Sequence, residues 1–427
     1  MMWLWAFLAD QMYLGKLLGA LCIGYFLDRF GRKVTAMLIR NVIHISACIA
    51  FILAYLLNRL ELLFVGHFLV GFFKQLNAAV YIWIGESLTM KISGQVTFLL
   101  GVGMRLGSTL GVAVSLPEAL NYKSGWVYFP VACALFPLLH LSFVSYFPCS
   151  PRYLYLNKCN LEKAMEALNW YQEENPDYER FFVELDQDKQ LVSKHQTASS
   201  SLSTFIRLQH LRTPFLICIL SALCYPLGAL GSVRHQYSTM MLISFGFSIQ
   251  TAMYFALGSH LLAILVLLGA SVLVRTKGRR FLFLITVFLT LCDLICFFLA
   301  VSTHSLFGSI CGCAGFCICM LCAALGINKL PKLFIADFCP YGIRAFTSSA
   351  AAVGDFSVSI LMVLLFPQLQ LAIHQFSYIP VLLLQLAIFL YLHAKLPKSK
   401  NNRIITASLD SRECVESEPL IRKDCEH

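Results

Sequence analysis

Long apolar runs separated by short polar loops dominate the chain of 427 residues. A helix of about 20 mostly apolar residues is long enough to cross the ~30 Å hydrocarbon layer of a bilayer. Runs that meet this requirement lie at about 11–27, 34–57, 60–84, 95–116, 126–147, 214–233, 250–274, 281–302, 306–330, 346–367 and 377–395. The pattern therefore predicts an all-α, polytopic helical membrane protein with about eleven transmembrane helices.

Two polar segments interrupt this pattern. Apolar and charged positions alternate at helical spacing over 160–168, which is typical of an amphipathic surface helix, and a serine-rich stretch follows it. We expect four parts: an N-terminal transmembrane bundle at 1–147, a cytoplasmic linker at 148–213, a C-terminal transmembrane bundle at 214–396 and a cytoplasmic tail at 397–427.

The basic loops predict the orientation of the chain. Residues 28–33 and 275–280 are strongly basic, and Arg344 follows another cytoplasmic turn, whereas alternate loops such as 58–61 carry little charge. Basic loops remain in the cytoplasm, so every one of them falls on the same side of the membrane. A similar basic motif occurs once in each half, at 24–33 and at 274–280, as expected for two parallel repeats of a transporter.

The composition excludes most other classes of protein. Hydrophobic residues make up 58% of the chain and charged residues 13%, which leaves too little polar surface for a soluble protein of this size. The net charge of +10 follows from the basic loops, so no nucleic-acid partner is expected. The 17 cysteines lie mostly inside apolar runs without metal-ligand spacing, and no nucleophile–base pattern is present. We expect no metal, no cofactor and no enzymatic activity.

Several short motifs occur in a fixed order along the chain, at 24–33, 66–68, 85–87, 148–154 and 330–344. With them the chain resembles the major facilitator superfamily and, within it, the sugar porter (facilitative glucose transporter) family. The resemblance implies a major facilitator fold of two pseudo-symmetric helical bundles that moves a small polar solute by alternating access. In this alignment the chain begins at the second helix of the family, and the cavity-lining first helix is missing.

The resemblance also implies a cytoplasmic gate made of arginine–carboxylate pairs at helix ends. The candidates at matching positions are Asp28, Arg32, Glu86, Arg152, Arg279, Arg280, Asp337 and Arg344. Cys149, Arg275 and Lys398 stand where the family has acidic residues, so we expect a weak inner gate and a bias toward an inward-open shape. The alternative is that these residues anchor helix ends at anionic lipid.

The family's sugar-binding amides are largely replaced. Pro226 and Leu227 stand where the family has two adjacent glutamines, which makes glucose an unfavourable candidate. The cavity candidates at matching positions are Arg105, Asp355, Ser232 and Ser359. Arg105 and Asp355 either pair across the cavity, or Arg105 meets an anionic ligand while Asp355 carries a proton.

Two other charges inside apolar runs have simpler interpretations. We expect Arg40 to extend its charge toward the membrane surface, and Asp293 to stay neutral or to pair with a neighbouring helix.

The first functional hypothesis is a secondary transporter for a sugar-like or other small organic solute, with the lipid bilayer as its environment. The second is a transport-inactive membrane protein with a sensing or scaffold role. The tail from Glu416 to Ile421 has the form of an acidic dileucine signal for a sorting adaptor. The plasma membrane is the expected location, with an endosomal or lysosomal membrane as the alternative.

Overall fold

The computed structural model describes residues 2–120, 125–143, 146–172, 178, 181–183, 185–186, 209–228, 230–303, 305–339 and 341–396. Regular structure in these residues is helical, and no strand occurs among them. The all-α prediction is confirmed for this part of the chain.

The first membrane helices are joined by short turns. In chain order they are α1 (Met2–Phe30), a π-helical turn (Val34–Ile39) that leads into α2 (Arg40–Leu56), α3 (Glu61–Ser87), α4 (Met90–Val114), the short α5 (Pro117–Leu120), and α6 (Tyr128–Ser142) after a 3₁₀ turn (Gly125–Val127). We call α1–α6 the first group. Two short helices follow, α7 (Pro151–Leu156) and α8 (Leu161–Tyr171).

The remaining helices form what we call the second group. They are α9 (Gln209–Leu227), α10 (Gly231–Ser244), α11 (Ile249–Lys277), α12 (Arg279–Ser302), α13 (Leu306–Leu325), α14 (Leu330–Phe338), α15 (Tyr341–Ile373) and α16 (Tyr378–Lys395). Their core contains fully buried aromatic side chains from α12, α13 and α16, including Phe297, Phe316 and Tyr378.

The described helices contain ten apolar stretches long enough to cross a membrane. The last of them, 346–395, has 50 residues and contains two helices, α15 and α16, which meet at a 3₁₀ turn (His374–Ser377). Since about 20 residues suffice for one crossing, these stretches provide eleven crossings. The chain is an integral, multi-pass membrane protein, as the hydropathy pattern predicts.

Two predicted spans are longer in the structure. The first begins at Met2 rather than at residue 11, because Asp10 and Lys16 interrupt the apolar pattern but not the helix. The sixth continues past residue 233 to Ser244, across a break at which Leu230 has a φ of 42°. The prediction ended too early because the polar residues just after the break lower the local hydropathy.

Helices α1 and α3 approach each other unusually closely. A Cβ atom added to Gly15 would overlap the carbonyl oxygen of Phe68, and one added to Gly71 would overlap that of Met12. Small residues at such a contact allow two membrane helices to pack backbone against backbone.

The most extensive contacts between the groups, among the described residues, are made by two helix pairs. Helix α1 packs along α15, and α4 packs along α11. In the α1–α15 contact, Met12 and Tyr13 lie against Val363 in one buried apolar cluster. The interface between the groups therefore contains residues from the middle of α1, close to Lys16.

Candidate solute site and cytoplasmic gate

An ion pair joins two helix ends of the first group at the basic turn 28–33. Arg32 Nε lies 3.0 Å from Glu86 Oε2, and Ser150 Oγ donates a hydrogen bond of 2.7 Å to the same oxygen. Ser150 also caps α7, because its hydroxyl accepts a hydrogen bond of 3.1 Å from the Tyr153 backbone N–H. Glu86 thus links the ends of α1 and α3 to the start of α7.

An aromatic ring completes this contact. Gly31 has a φ of 82°, and a Cβ atom there would overlap the ring of Tyr153. The Arg32 guanidinium lies 5.4 Å from the centroid of the same ring, within cation–π range. On α8, the Tyr171 hydroxyl donates a 2.7 Å hydrogen bond to the Pro148 carbonyl, and burial raises the pKa of Tyr171. The basic turn at 28–33 therefore packs against α7 and the loop that precedes it.

The other gate candidates are more dispersed. Asp28 is exposed at the end of α1 and has no ion pair among the described residues. Arg280 Nη2 donates a 3.3 Å hydrogen bond to the His393 carbonyl within the second group. Arg152 and Arg279 lie at the starts of α7 and α12. Asp337 and Arg344 belong to α14 and α15, but their side chains lie outside the described set.

Hydrogen bonds join the two groups toward the outer side, opposite the basic loops. Tyr13 donates to the Ser232 carbonyl at 3.3 Å, and Gln236 Nε2 donates to the Ala9 carbonyl at 3.2 Å. The Tyr254 hydroxyl donates to Glu118 Oε1 at 2.5 Å, and this bond lowers the pKa of Glu118. The outer ends of the groups are therefore in direct contact.

The cavity candidates lie on both sides of the interface. Arg105 on α4 and Asp355 on α15 are both half-buried, and no ion pair between them occurs in the described structure. Arg105 lies within electrostatic range of Arg234 and Tyr225 in the second group. The cations within range of the Asp355 carboxylate are Lys16 and Lys332.

The two serine candidates are buried. Ser232 has an exposed fraction of zero, and its hydroxyl has no hydrogen-bond partner in the described part of the chain. Ser359 is 1% exposed and follows Asp355 by one helical turn, so both lie on one face of α15.

Arg40 does not extend to the membrane surface. Its Nη1 donates a 2.8 Å hydrogen bond to Asn77 Oδ1 on α3, and its Nη2 donates to Asn41 Oδ1 at 3.3 Å. Amide oxygens inside the first group thus accept hydrogen bonds from two of its nitrogens, while the buried Nε has no partner in the described structure, and the prediction that Arg40 reaches the surface is wrong.

Arg234 is a buried cation that the hydropathy pattern missed. It is 6% exposed, with Nη1 2.9 Å from Met320 Sδ and its guanidinium 5.7 Å from the Phe316 ring centroid. The Asp293 carboxylate lies within electrostatic range, is fully buried and has no hydrogen-bond partner among the described side chains. The apolar run at 240–243, after the polar break, was the signal that the helix continues through Arg234.

Comparisons with known proteins agree with this architecture. A family model described as "Sugar (and other) transporter" matches residues 2–408. Solute carrier family 2, facilitated glucose transporter member 7 of Homo sapiens is 25% identical over 414 residues, covering 95% of this chain and 79% of that protein. The match to member 7 of Mus musculus is 24% identical over 282 residues and covers 66% of this chain, but only 54% of that protein.

A solved structure shares the fold. The proton:xylose symporter XylE of the major facilitator superfamily, bound to 6-bromo-6-deoxy-D-glucose, matches with a TM-score of 0.74 at 16% identity. The match covers 92% of this chain and 86% of that chain. The helical architecture is therefore the major facilitator fold, and with its family match over nearly the whole length, the chain belongs to the sugar (and other) transporter family.

Proposed function

We propose that the protein is a secondary transporter that moves a small polar organic solute across a membrane by alternating access. The observation that carries this proposal is the contact between the outer ends of the groups, at Tyr13–Ser232 and Ala9–Gln236. The first of these hydrogen bonds is buried and the second is half-buried, but each contributes only about 1 kcal/mol net, so a rocking motion can break and remake them. The names of the relatives, glucose transporters and a xylose symporter, suggest a solute of similar size.

In this proposal the cytoplasmic gate uses the eight charged candidates named above. Arg32 and Glu86 support it, since their ion pair holds the basic turn in position for partners from the second group. The weak inner gate and inward-open bias expected from Cys149 remain part of the proposal. Arg105, Asp355, Ser232 and Ser359 are the proposed solute-facing residues.

The division of the chain into four parts and its cellular location are also proposals. The four parts, at 1–147, 148–213, 214–396 and 397–427, form two bundles with a cytoplasmic linker and tail. The plasma membrane is the proposed location, with endosomal or lysosomal membranes as the alternative. The adaptor signal from Glu416 to Ile421 lies outside the described residues.

Solute uptake by the purified full chain in proteoliposomes tests this proposal. We expect concentration-dependent, saturable uptake of at least one member of a panel of sugars, polyols and organic acids, absent from liposomes without protein. Saturation distinguishes a carrier from a leak, because a carrier must return its site after each cycle. No uptake of any solute, together with no ligand-induced rise in Tm, would favour the transport-inactive alternative.

A further inference from the structure

A group of cations lies along the interface between the two groups. Among the described residues, three come from the first group and three from the second: Lys16, Lys74, Arg105, Arg234, Lys329 and Lys332. We call these six the interface cations. They occupy α1, α3, α4, α10, the turn before α14, and α14.

The interface cations are close enough to act on one another across the interface. Arg105 of α4 lies within electrostatic range of Arg234 and Lys329, both in the second group. A Cβ atom added to Gly101 on α4 would lie 3.2 Å from the Lys329 ammonium nitrogen. Lys329 therefore reaches the backbone of α4, and its charge lies at the contact between groups.

The two lysines near α1 also act on groups across the interface. Lys16 lies within electrostatic range of Lys74 and Lys332, and Lys16 and Lys74 both act on the His235 imidazole of α10. The Lys16 ammonium lies 4.2 Å from the Tyr13 ring centroid. Lys74 Nζ lies 3.6 Å from Met12 Sδ. Neither contact supplies a negative charge, so both ammonium groups lack a carboxylate at salt-bridge distance within the described structure.

Nearby carboxylates do not balance these charges. Asp293 is fully buried beside Arg234, and Asp10 is 5% exposed near Tyr13 and Tyr237. Asp355 is the carboxylate that faces Lys16 and Lys332. Among the side chains that the structure describes, three carboxylates against six cations leave an excess of positive charge at the depth of the membrane helices, where unpaired charge is expensive.

Part of this charge is accessible to a ligand. The side chains of Lys74, His235, Lys329 and Lys332 are exposed, although each acts electrostatically on a residue of the opposite group. They therefore face the space between the groups. Pro226 and Leu227, which replace two glutamines of the family, offer no side-chain hydrogen bonds to a solute in this space.

From this arrangement we infer that the transported solute is a small organic anion, a carboxylate of about hexose size, whose charge is balanced by the interface cations. The inference rests on the proposed transport function and names its substrate class. Asp355 then serves as an internal counter-charge that releases Lys16 and Lys332 when the anion binds. A neutral sugar would leave the positive excess uncompensated, so binding would gain little from these residues.

A matched pair of solutes tests the charge requirement. Glucuronate and glucose have the same ring and differ in one carboxylate, so proteoliposome uptake of each by the full chain isolates the effect of charge. We expect saturable uptake of glucuronate to exceed that of glucose. Chloride and inorganic phosphate, added as competitors, are expected to inhibit less than a second organic carboxylate does. Stronger inhibition by phosphate than by any carboxylate would overturn the organic-anion assignment.

Two substitutions test whether the interface cations cause this preference for an anionic solute. Lys16→Gln and Lys74→Gln are each expected to reduce glucuronate uptake without raising glucose uptake. Lys158→Gln, at an exposed position after α7, removes the same charge elsewhere and is expected to leave uptake unchanged. Glucose uptake that exceeds glucuronate uptake, or glucuronate uptake unaffected by both cluster variants, would overturn the inference while leaving transport intact.

Ligand-induced thermal shift separates the two proposals if no uptake occurs. A rise in Tm with glucuronate but not glucose, lost in Lys74→Gln, would support the anion site and count against transport. No rise in Tm and no uptake with any carboxylate would overturn the inference itself.

Discussion

Gly71→Leu should prevent the protein from folding into a stable form. At this position the backbones of α1 and α3 touch, and even a Cβ atom would overlap the Met12 carbonyl oxygen. The helices would have to separate, which is expected to cost about 3 kcal/mol or more, at the upper end of overpacking in a closed core. The recovery of monodisperse protein and its Tm in detergent measure the effect.

Gly85→Leu is the matched control. Gly85 lies on the same helix, but nothing approaches within 4 Å of its Cβ position, so the added side chain meets open space. Both changes raise helix propensity equally. We expect Gly85→Leu to keep the wild-type Tm. Equal Tm values for both variants would contradict the backbone contact between α1 and α3.

Removing either Arg234 or Asp293, two buried ionisable groups within electrostatic range of each other, should destabilise the second group. Both side chains lie inside its core, with exposed fractions of 6% and 0%. Asp293→Leu leaves the Arg234 charge without its buried counter-charge, and Arg234→Met leaves the carboxylate alone. Each change is expected to cost about 3 kcal/mol, the loss typical when one partner of a buried pair is removed.

The double variant distinguishes a charge pair from two independent packing sites. With both charges removed, the apolar replacements Met and Leu fit a site that already contains Phe316 and Met320. We therefore expect the double variant to melt above at least one single variant, measured as Tm in the same lipid or detergent. Strictly additive losses would show that Arg234 and Asp293 do not interact.

The membrane helices were predictable because hydropathy depends on local sequence. The side of the membrane on which each loop lies stays a prediction from its basic residues. The break near Leu230 was not predictable in the same way, because residues 234–236 are polar yet helical. The burial of Arg234 depends on its tertiary contacts with Met320 and Phe316, which lie far away in the sequence.

The site was predictable only in part for the same reason. The motifs named Arg32 and Glu86 as gate residues, and the structure joins them at 3.0 Å. The motif includes Ser150 but does not show that its hydroxyl binds Glu86, because this contact depends on the loop before α7. Lys16 and Lys74 interrupt apolar runs in sequence, but only the packing of α1 on α3 and α15 places Lys16 within electrostatic range of both Lys74 and Asp355.

Reversible cross-linking of the outer ends most directly tests whether the two groups rock against each other. Ala9→Cys and Gln236→Cys place thiols where Gln236 now donates to the Ala9 carbonyl. Phe7→Cys with Phe64→Cys, whose rings lie 5.8 Å apart within the first group, is the matched control pair. A short thiol cross-linker is applied to each pair, and to protein with native cysteines alone.

Transport by the cross-linked protein, measured before and after reduction in proteoliposomes, is the decisive measurement. We expect the Ala9–Gln236 link to abolish solute transport, reduction to restore it, and the Phe7–Phe64 link to leave it unchanged. Full transport with the outer ends linked between the groups would contradict the account.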